Sequence, residues 1–215
     1  MSICAVLWDI DGTLINSEPL HLQALLKTCA THGVDIRDLP PETFVGVNLN
    51  DVWSTLQDRY PDRLTKAQWL AEINHYYSTH AKALVAMPHA LRVVEQLSLA
   101  GVVQAAVSNS HRCIVDANLD SIGVKSFMRF ALSLEDVPAA KPDPAPYLMA
   151  LEKLGLNAQQ VITVEDSPAG VMSARAAGLP VLGYINGSGK PDMADRQISH
   201  LRQVIDYITP KAHGL

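Results

Sequence analysis

Two aspartates stand two residues apart in Asp9-Ile10-Asp11-Gly12-Thr13, directly after an apolar run at residues 3–8. If that run is a strand, both carboxylates sit at its end and can share one site. One can attack a substrate while the other manages a proton. Gly12 would permit the sharp turn that brings backbone close to a ligand. An Asp-Gly pair is also a common turn, so this cluster needs company before it means chemistry.

Company is found further along the chain. Ser108-Asn109-Ser110 follows a second apolar run, where a hydroxyl and backbone N–H groups could bind phosphate oxygens beside a helix N-terminus. An ordinary N-cap accounts fully for Ser110 and less well for Ser108. Lys141-Pro142 follows a third run. Glu165-Asp166-Ser167-Pro168 follows a fourth, and paired acids at a strand end suggest a hard cation held through oxygens. Asp166 alone could serve only to favour a helix dipole. Taken together, the four positions carry what phosphoryl transfer requires: a nucleophile, an acid, cationic charge and metal ligands.

The elements that must position these residues are legible. Residues 3–8, 102–107, 130–134, 161–165 and 180–185 read as short strands, apolar with little alternation, as suits strands covered on both faces. Helical stretches separate them from the second strand onward: residues 114–122, then a helix opened by Asp143-Pro144 and closed by Gly155, then one opened by Ser167-Pro168 and stopped at Gly178. Repeated strand–helix–strand units predict an α/β fold, with a parallel, doubly wound sheet. The rhythm breaks once. Between the first strand and residue 87 lie about seventy residues without a parallel-strand signal, too many for a structureless loop. Residues 20–32, 51–60 and 66–84 carry helical spacing there. The reading is a core of residues 1–15 and 87–215 with a small helical domain, 16–86, inserted into it.

The ordered set Asp9/Asp11, Ser108, Lys141 and Glu165/Asp166 resembles the four motifs of the haloacid dehalogenase-like hydrolase superfamily. The helical insert after the first motif resembles the cap of its β-phosphoglucomutase and sugar-phosphatase branch. The resemblance spans nearly the whole chain. It implies a Rossmann-like core, a mobile α-helical cap, and a Mg²⁺-dependent phosphatase acting on a small phosphorylated metabolite (a sugar, polyol or sugar-acid phosphate) through an aspartyl phosphate. Carried over residue by residue, Asp9 attacks phosphorus, and Asp11 protonates the leaving oxygen and later deprotonates water. The Asp9 carboxylate, the Asp11 carbonyl and Asp166 hold Mg²⁺, with Glu165 acting directly or through water. Ser108 and the Asn109 N–H bind phosphoryl oxygens, Lys141 neutralises the crowded anions, and Thr13 steadies the loop that carries Asp11.

The resemblance extends less evenly into the insert. His21 stands where a histidine of the branch gates the general acid; a half-buried helix histidine is an equal reading. Residues 44–48 resemble the cap loop that meets substrate, with Gly46 allowing close backbone approach. The mutases of the branch place an arginine shortly after that glycine to hold a second phosphate, whereas this chain has Leu49 and Asn50, and no arginine before Arg59. That departure favours a phosphatase over a phosphosugar mutase. His89 is a second departure, at a place where the branch often has glycine. Phosphonate-cleaving members of the family use a cap lysine as a Schiff base; Lys27, in the first helix of the insert, is the candidate for that role here, with solvated surface the favoured reading. A ligand-binding protein without turnover is the remaining alternative, opposed by the presence of every expected catalytic residue. The cap aromatics Trp53, Trp69, Tyr76 and Tyr77 read as helix core rather than as platforms for sugar stacking.

Composition narrows the partners. The chain has 215 residues, 48% of them hydrophobic, enough for one sizeable core with a small appendage. Its 17 basic and 22 acidic residues give a net charge of −5, without the basic clusters that nucleic-acid binding needs. Apolar runs fall short of membrane-spanning length, and no signal peptide is expected. Cys4, Cys29 and Cys113 are widely spaced and fit neither a disulfide framework nor a zinc site. These features lead to an expectation of a cytoplasmic protein, and cap motion to that of a monomer.

Overall fold

A computed structural model of the chain describes residues 3–40, 43–44, 47, 49–187 and 191–208. The chain divides into two compact units, one of Met1–Asn16 with Val85–Leu215 and one of Ser17–Leu84.

The first unit is built on a six-stranded sheet in the order β5-β4-β1-β6-β7-β8, with every neighbouring pair parallel. Its strands are β1 (Ala5–Trp8), β4 (Val103–Val107), β5 (Ala131–Leu132), β6 (Val161–Glu165), β7 (Val181–Tyr184) and β8 (Arg196–Ile198). Every residue of β1, β6 and β7 is buried, which explains their largely apolar character, with Thr163 and Glu165 of β6 the polar exceptions. Helices α4 (Ala90–Leu99), α5 (Arg112–Ser121), α6 (Ala145–Leu154), α7 (Pro168–Ala176) and α8 (Gln203–Ile208) complete the unit. One core cluster joins Leu7, Val107, Val161 and Val181 of the sheet to Tyr147 and Ala150 of α6 and Val171 and Ala174 of α7. The doubly wound parallel α/β fold is the one expected.

The topology places the chemistry. From β1 the chain goes to β4 and β5 on one side, then returns to β6 on the other side of β1. Such a reversal opens a crevice at the carboxyl ends of the strands. Trp8 is in register with Ala106 of β4 and Val164 of β6. Continuing each strand by one residue sets Asp9 beside Val107 and Glu165.

Some boundaries differ from the sequence reading. The strand expected at 130–134 is reduced to Ala131–Leu132, and β8 was not anticipated. The β8 sequence Arg-Gln-Ile is polar, as an edge strand with two exposed residues can be. Helix α6 begins at Ala145, and Asp143 reaches its first N–H through Oδ1 at 2.8 Å. Strand β2 (Ile15–Asn16) pairs antiparallel with β3 (Val85–Ala86), where the chain leaves and re-enters this unit. Asn16, Val85 and Ala86, read from sequence into the insert, therefore belong to the core unit.

The second unit holds α1 (Glu18–Thr31), α2 (Leu49–Leu56) and α3 (Lys66–His80), with α1 packed on α3. A Thr65/Gln68 capping box starts α3. Trp69, Ile73 and Tyr77, one helical turn apart, bury its inner face. Trp69 Nε1 donates to the Tyr60 hydroxyl at 2.7 Å, and Trp53 stacks on the Tyr60 ring. Trp69 and Tyr77 thus serve as helix core in this unit, while the half-buried Trp53 lies against Trp69 and Tyr76 stacks on His80. Among the described residues, no helix is long and apolar enough to cross a membrane.

Candidate active site

Asp9 is the first residue past β1 and is buried; its N–H donates to the Val164 carbonyl at 3.0 Å. Its Oδ1 accepts from Lys141 Nζ at 2.8 Å. The same ammonium donates to Glu165 Oε1 at 2.6 Å and to the Val107 carbonyl at 2.7 Å, so all three of its donors are used. Tyr147, from α6, donates its hydroxyl to Glu165 Oε1 at 2.5 Å, and its ring centroid lies 5.2 Å from Lys141 Nζ. Glu165 is fully buried at the end of β6, and its Oε2 accepts from Ser167 Oγ at 3.3 Å.

The charges in this pocket do not balance. Asp9, Glu165 and Asp166 each bring an oxygen within 4.8 Å of the others, and among the described residues Lys141 is the one cation paired with them, through Asp9 and Glu165. Burial, then Glu165, pushes the Asp9 carboxyl well above the usual range, with Lys141 only partly opposing them. Burial and Glu165 also raise Asp166, to about 7. Burial alone would lower the Lys141 ammonium, but Asp9 and Glu165 outweigh it and hold the group firmly protonated. Asp9 Oδ2 is buried without a hydrogen-bond partner. A buried carboxylate oxygen lacking a donor, inside an all-oxygen acidic cluster, fits a hard divalent cation such as Mg²⁺.

Two glycines leave room for these acids. A Cβ on Gly12, whose φ is +82°, would meet Asp166 Oδ2 and Asn186 Nδ2. A Cβ on Gly170, in α7, would meet the whole Glu165 carboxylate. The Ser167 hydroxyl caps α7 by accepting from Gly170 N–H at 3.1 Å.

The Asp11 carboxylate stands outside the three-acid group. Its Oδ2 accepts from Ser110 Oγ at 2.8 Å and from Ser108 Oγ at 3.3 Å, and its Oδ1 accepts from Asn118 Nδ2 at 2.9 Å. Ser110 is therefore not the N-cap of α5; His111 holds that place, and Ser110 turns to Asp11 instead. Asn109 joins two loops, its Nδ2 donating to the Lys141 carbonyl at 3.0 Å and its Oδ1 accepting from the Lys141 N–H at 2.9 Å. Thr13 is fully buried in the loop after Asp11, its hydroxyl without a partner.

The core residues singled out from sequence, Asp9, Asp11, Ser108, Asn109, Lys141, Glu165 and Asp166, thus gather at neighbouring strand ends. Asn118, Tyr147, Asn186 and the bond from Ser110 were not foreseen. An asparagine at helical spacing from Ile114 and Val115, on the apolar face of α5, was the available signal for Asn118. In the helical unit, His21 lies on α1 with its ring 4.4 Å from that of Tyr77. Lys27 is exposed. Gly46 lies outside the described residues.

Comparisons with known proteins bear on the family and the fold. Hexitol phosphatase A of Escherichia coli (strain K12) is 30% identical over 179 residues, covering 82% of this chain and 80% of that protein. A phosphoglycolate phosphatase of Yersinia pestis is 30% identical over 192 residues, covering 86% and 82%. The crystal structure of CbbY from Rhodobacter sphaeroides in complex with phosphate superposes with a TM-score of 0.81, at 22% identity over 92% of this chain and 94% of that one, a likeness of fold. The family described as "Haloacid dehalogenase-like hydrolase" matches residues 6–184, and with these strand ends and relatives the chain belongs to that family.

Proposed function

We propose that the protein is a Mg²⁺-dependent phosphatase that hydrolyses a small phosphorylated metabolite through an aspartyl phosphate on Asp9. The observation that carries this reading is the buried Asp9 carboxylate, held through one oxygen by Lys141 and unpartnered at the other, within the Asp9/Glu165/Asp166 cluster. Asp9 and Asp166 would hold the metal, together with the Asp11 carbonyl. Both Glu165 oxygens are engaged by Lys141, Tyr147 and Ser167, which favours contact through water. When bound, Mg²⁺ supplies positive charge that lowers repulsion between Asp9 and an anionic phosphoryl group.

The chain's own residues do the rest. Asp9 forms a bond to phosphorus as the ester oxygen departs, and Asp11 gives that oxygen its proton. Water then attacks phosphorus while Asp11 takes a proton back, and phosphate leaves with Asp9 regenerated. Ser108 and the Asn109 N–H would orient the phosphoryl oxygens, and Lys141 would offset their charge. Phosphate monoesters hydrolyse so slowly that acceleration approaching ~10²¹-fold is required, most of it from such positioning and charge. Residues 17–84 would act as the cap, with His21 and Gly46 as candidate contacts to substrate.

The phosphatases at 30% identity favour a sugar, polyol or small sugar-acid phosphate as the substrate class. The test is release of inorganic phosphate from a panel of such compounds, with Mg²⁺ and with chelator. Mg²⁺-dependent release from a few related compounds is expected. A rearranged sugar phosphate without net release would indicate a mutase instead.

A further inference from the structure

Asn186 follows β7 and belongs to none of the four acidic, serine or lysine positions described above. Its Nδ2 donates to Asp166 Oδ2 at 2.9 Å and to the Gly12 carbonyl at 2.7 Å. An amide nitrogen has two hydrogens, and each finds an acceptor. The opposite orientation of the amide would set its oxygen against two acceptors, so the surroundings fix the side chain. The bond engages one Asp166 oxygen and leaves Oδ1 for a cation. Gly12 completes the arrangement. A Cβ there would lie 2.1 Å from Asp166 Oδ2 and 3.1 Å from Asn186 Nδ2, so the turn after Asp11, the Asp166 carboxylate and the Asn186 amide fit together only with glycine at position 12.

We propose that Asn186 is a positioning residue for the metal site, fixing the orientation of Asp166 and tying it to the turn between Asp11 and Thr13. The inference rests on the Mg²⁺ reading above. Groups that orient a metal ligand typically affect affinity by about 10–100-fold. Asn186 acts through Asp166 and Gly12, so its loss should weaken the metal without removing the nucleophile or the acid.

The test is calorimetric titration of Mg²⁺ into chelator-stripped protein, for wild type, Asn186→Ala and Asn186→Leu, the second keeping volume without donors. Melting in chelator identifies which variants fold. Each folded variant is expected to bind Mg²⁺ about 10-fold or more weakly, with phosphatase activity recovered at saturating Mg²⁺. A merely structural role would lower activity at every Mg²⁺ concentration. Variants that bind Mg²⁺ as tightly as wild type overturn the role of Asn186 alone. Absence of Mg²⁺ binding by wild type overturns the metal reading, and this inference with it.

Discussion

Lys141 Nζ stands 2.8 Å from Asp9 Oδ1, with both side chains almost wholly withdrawn from water. That contact places a fixed positive charge against the group proposed to attack phosphorus. Removing the ammonium leaves Asp9 and Glu165 buried without their counter-charge. Breaking a buried pair from one side typically costs about 3–5 kcal/mol. Lys141→Ala should therefore lose about 3 kcal/mol of stability, at the low end because the carboxylates can take up protons. Urea denaturation in chelator at about pH 8, a condition under which free carboxylates are ionised, checks this. Activity should fall steeply as well.

Metal binding should depend on pH through Asp166. Its carboxyl titrates at about 7 in the folded, metal-free protein, against 3.8 for the unperturbed group. Between those values the folded protein holds a proton that the unfolded chain has released. The associated stability is fully present below the lower value and lost as pH rises through about 7. A divalent cation takes the proton's place. Mg²⁺ should therefore raise the melting temperature more at about pH 8 than at about pH 5.5. Equal increments at both would contradict the assignment.

Gly170 should resist substitution although it sits inside a helix, where alanine ordinarily stabilises. A Cβ there would lie 2.0–2.1 Å from the Glu165 carboxylate, which is already fixed by Lys141 and Tyr147. Gly170→Ala should cost about 1–3 kcal/mol, as overpacking does, and depress activity by displacing Glu165. Thermal melting and phosphate-release kinetics measure the two effects.

Asn118 is fully buried on α5 and donates to Asp11. Asn118→Ala removes a buried hydrogen bond to Asp11, worth about 0.5–1.5 kcal/mol, and frees Asp11 to adopt other orientations. The expected kinetic signature is a fall in kcat of about 10-fold with KM little changed, as when an interaction made in the transition state is lost. A rise in KM at constant kcat would assign Asn118 to substrate binding instead.

Much of this site was legible before any coordinates, for a physical reason. In a parallel sheet the strands announce themselves as apolar runs, and ligands bind where they end. Reading the residue after the first, second and fourth runs therefore led to Asp9, Ser108 and Asp166 together. What stayed hidden was what helices and loops bring back to those ends. Tyr147 looks like any aromatic on α6, and Asn186 like any loop residue, until the fold sets one against Glu165 and the other against Asp166. From sequence an N-cap is a sufficient account of Ser110, because serine before a helix usually is one. Its hydroxyl turns instead to Asp11. Strand β8 escaped because a polar edge strand carries no apolar run.

The most direct test of the central claim is the turnover of Asp9→Asn with Mg²⁺ and a phosphate ester that the wild type hydrolyses. The amide keeps the shape of the side chain but cannot form the acyl phosphate. Covalent catalysis by Asp9 predicts a fall of about 10³-fold or more in kcat, with cooperative unfolding retained in chelator. Near-normal phosphate release by the folded variant would contradict the mechanism.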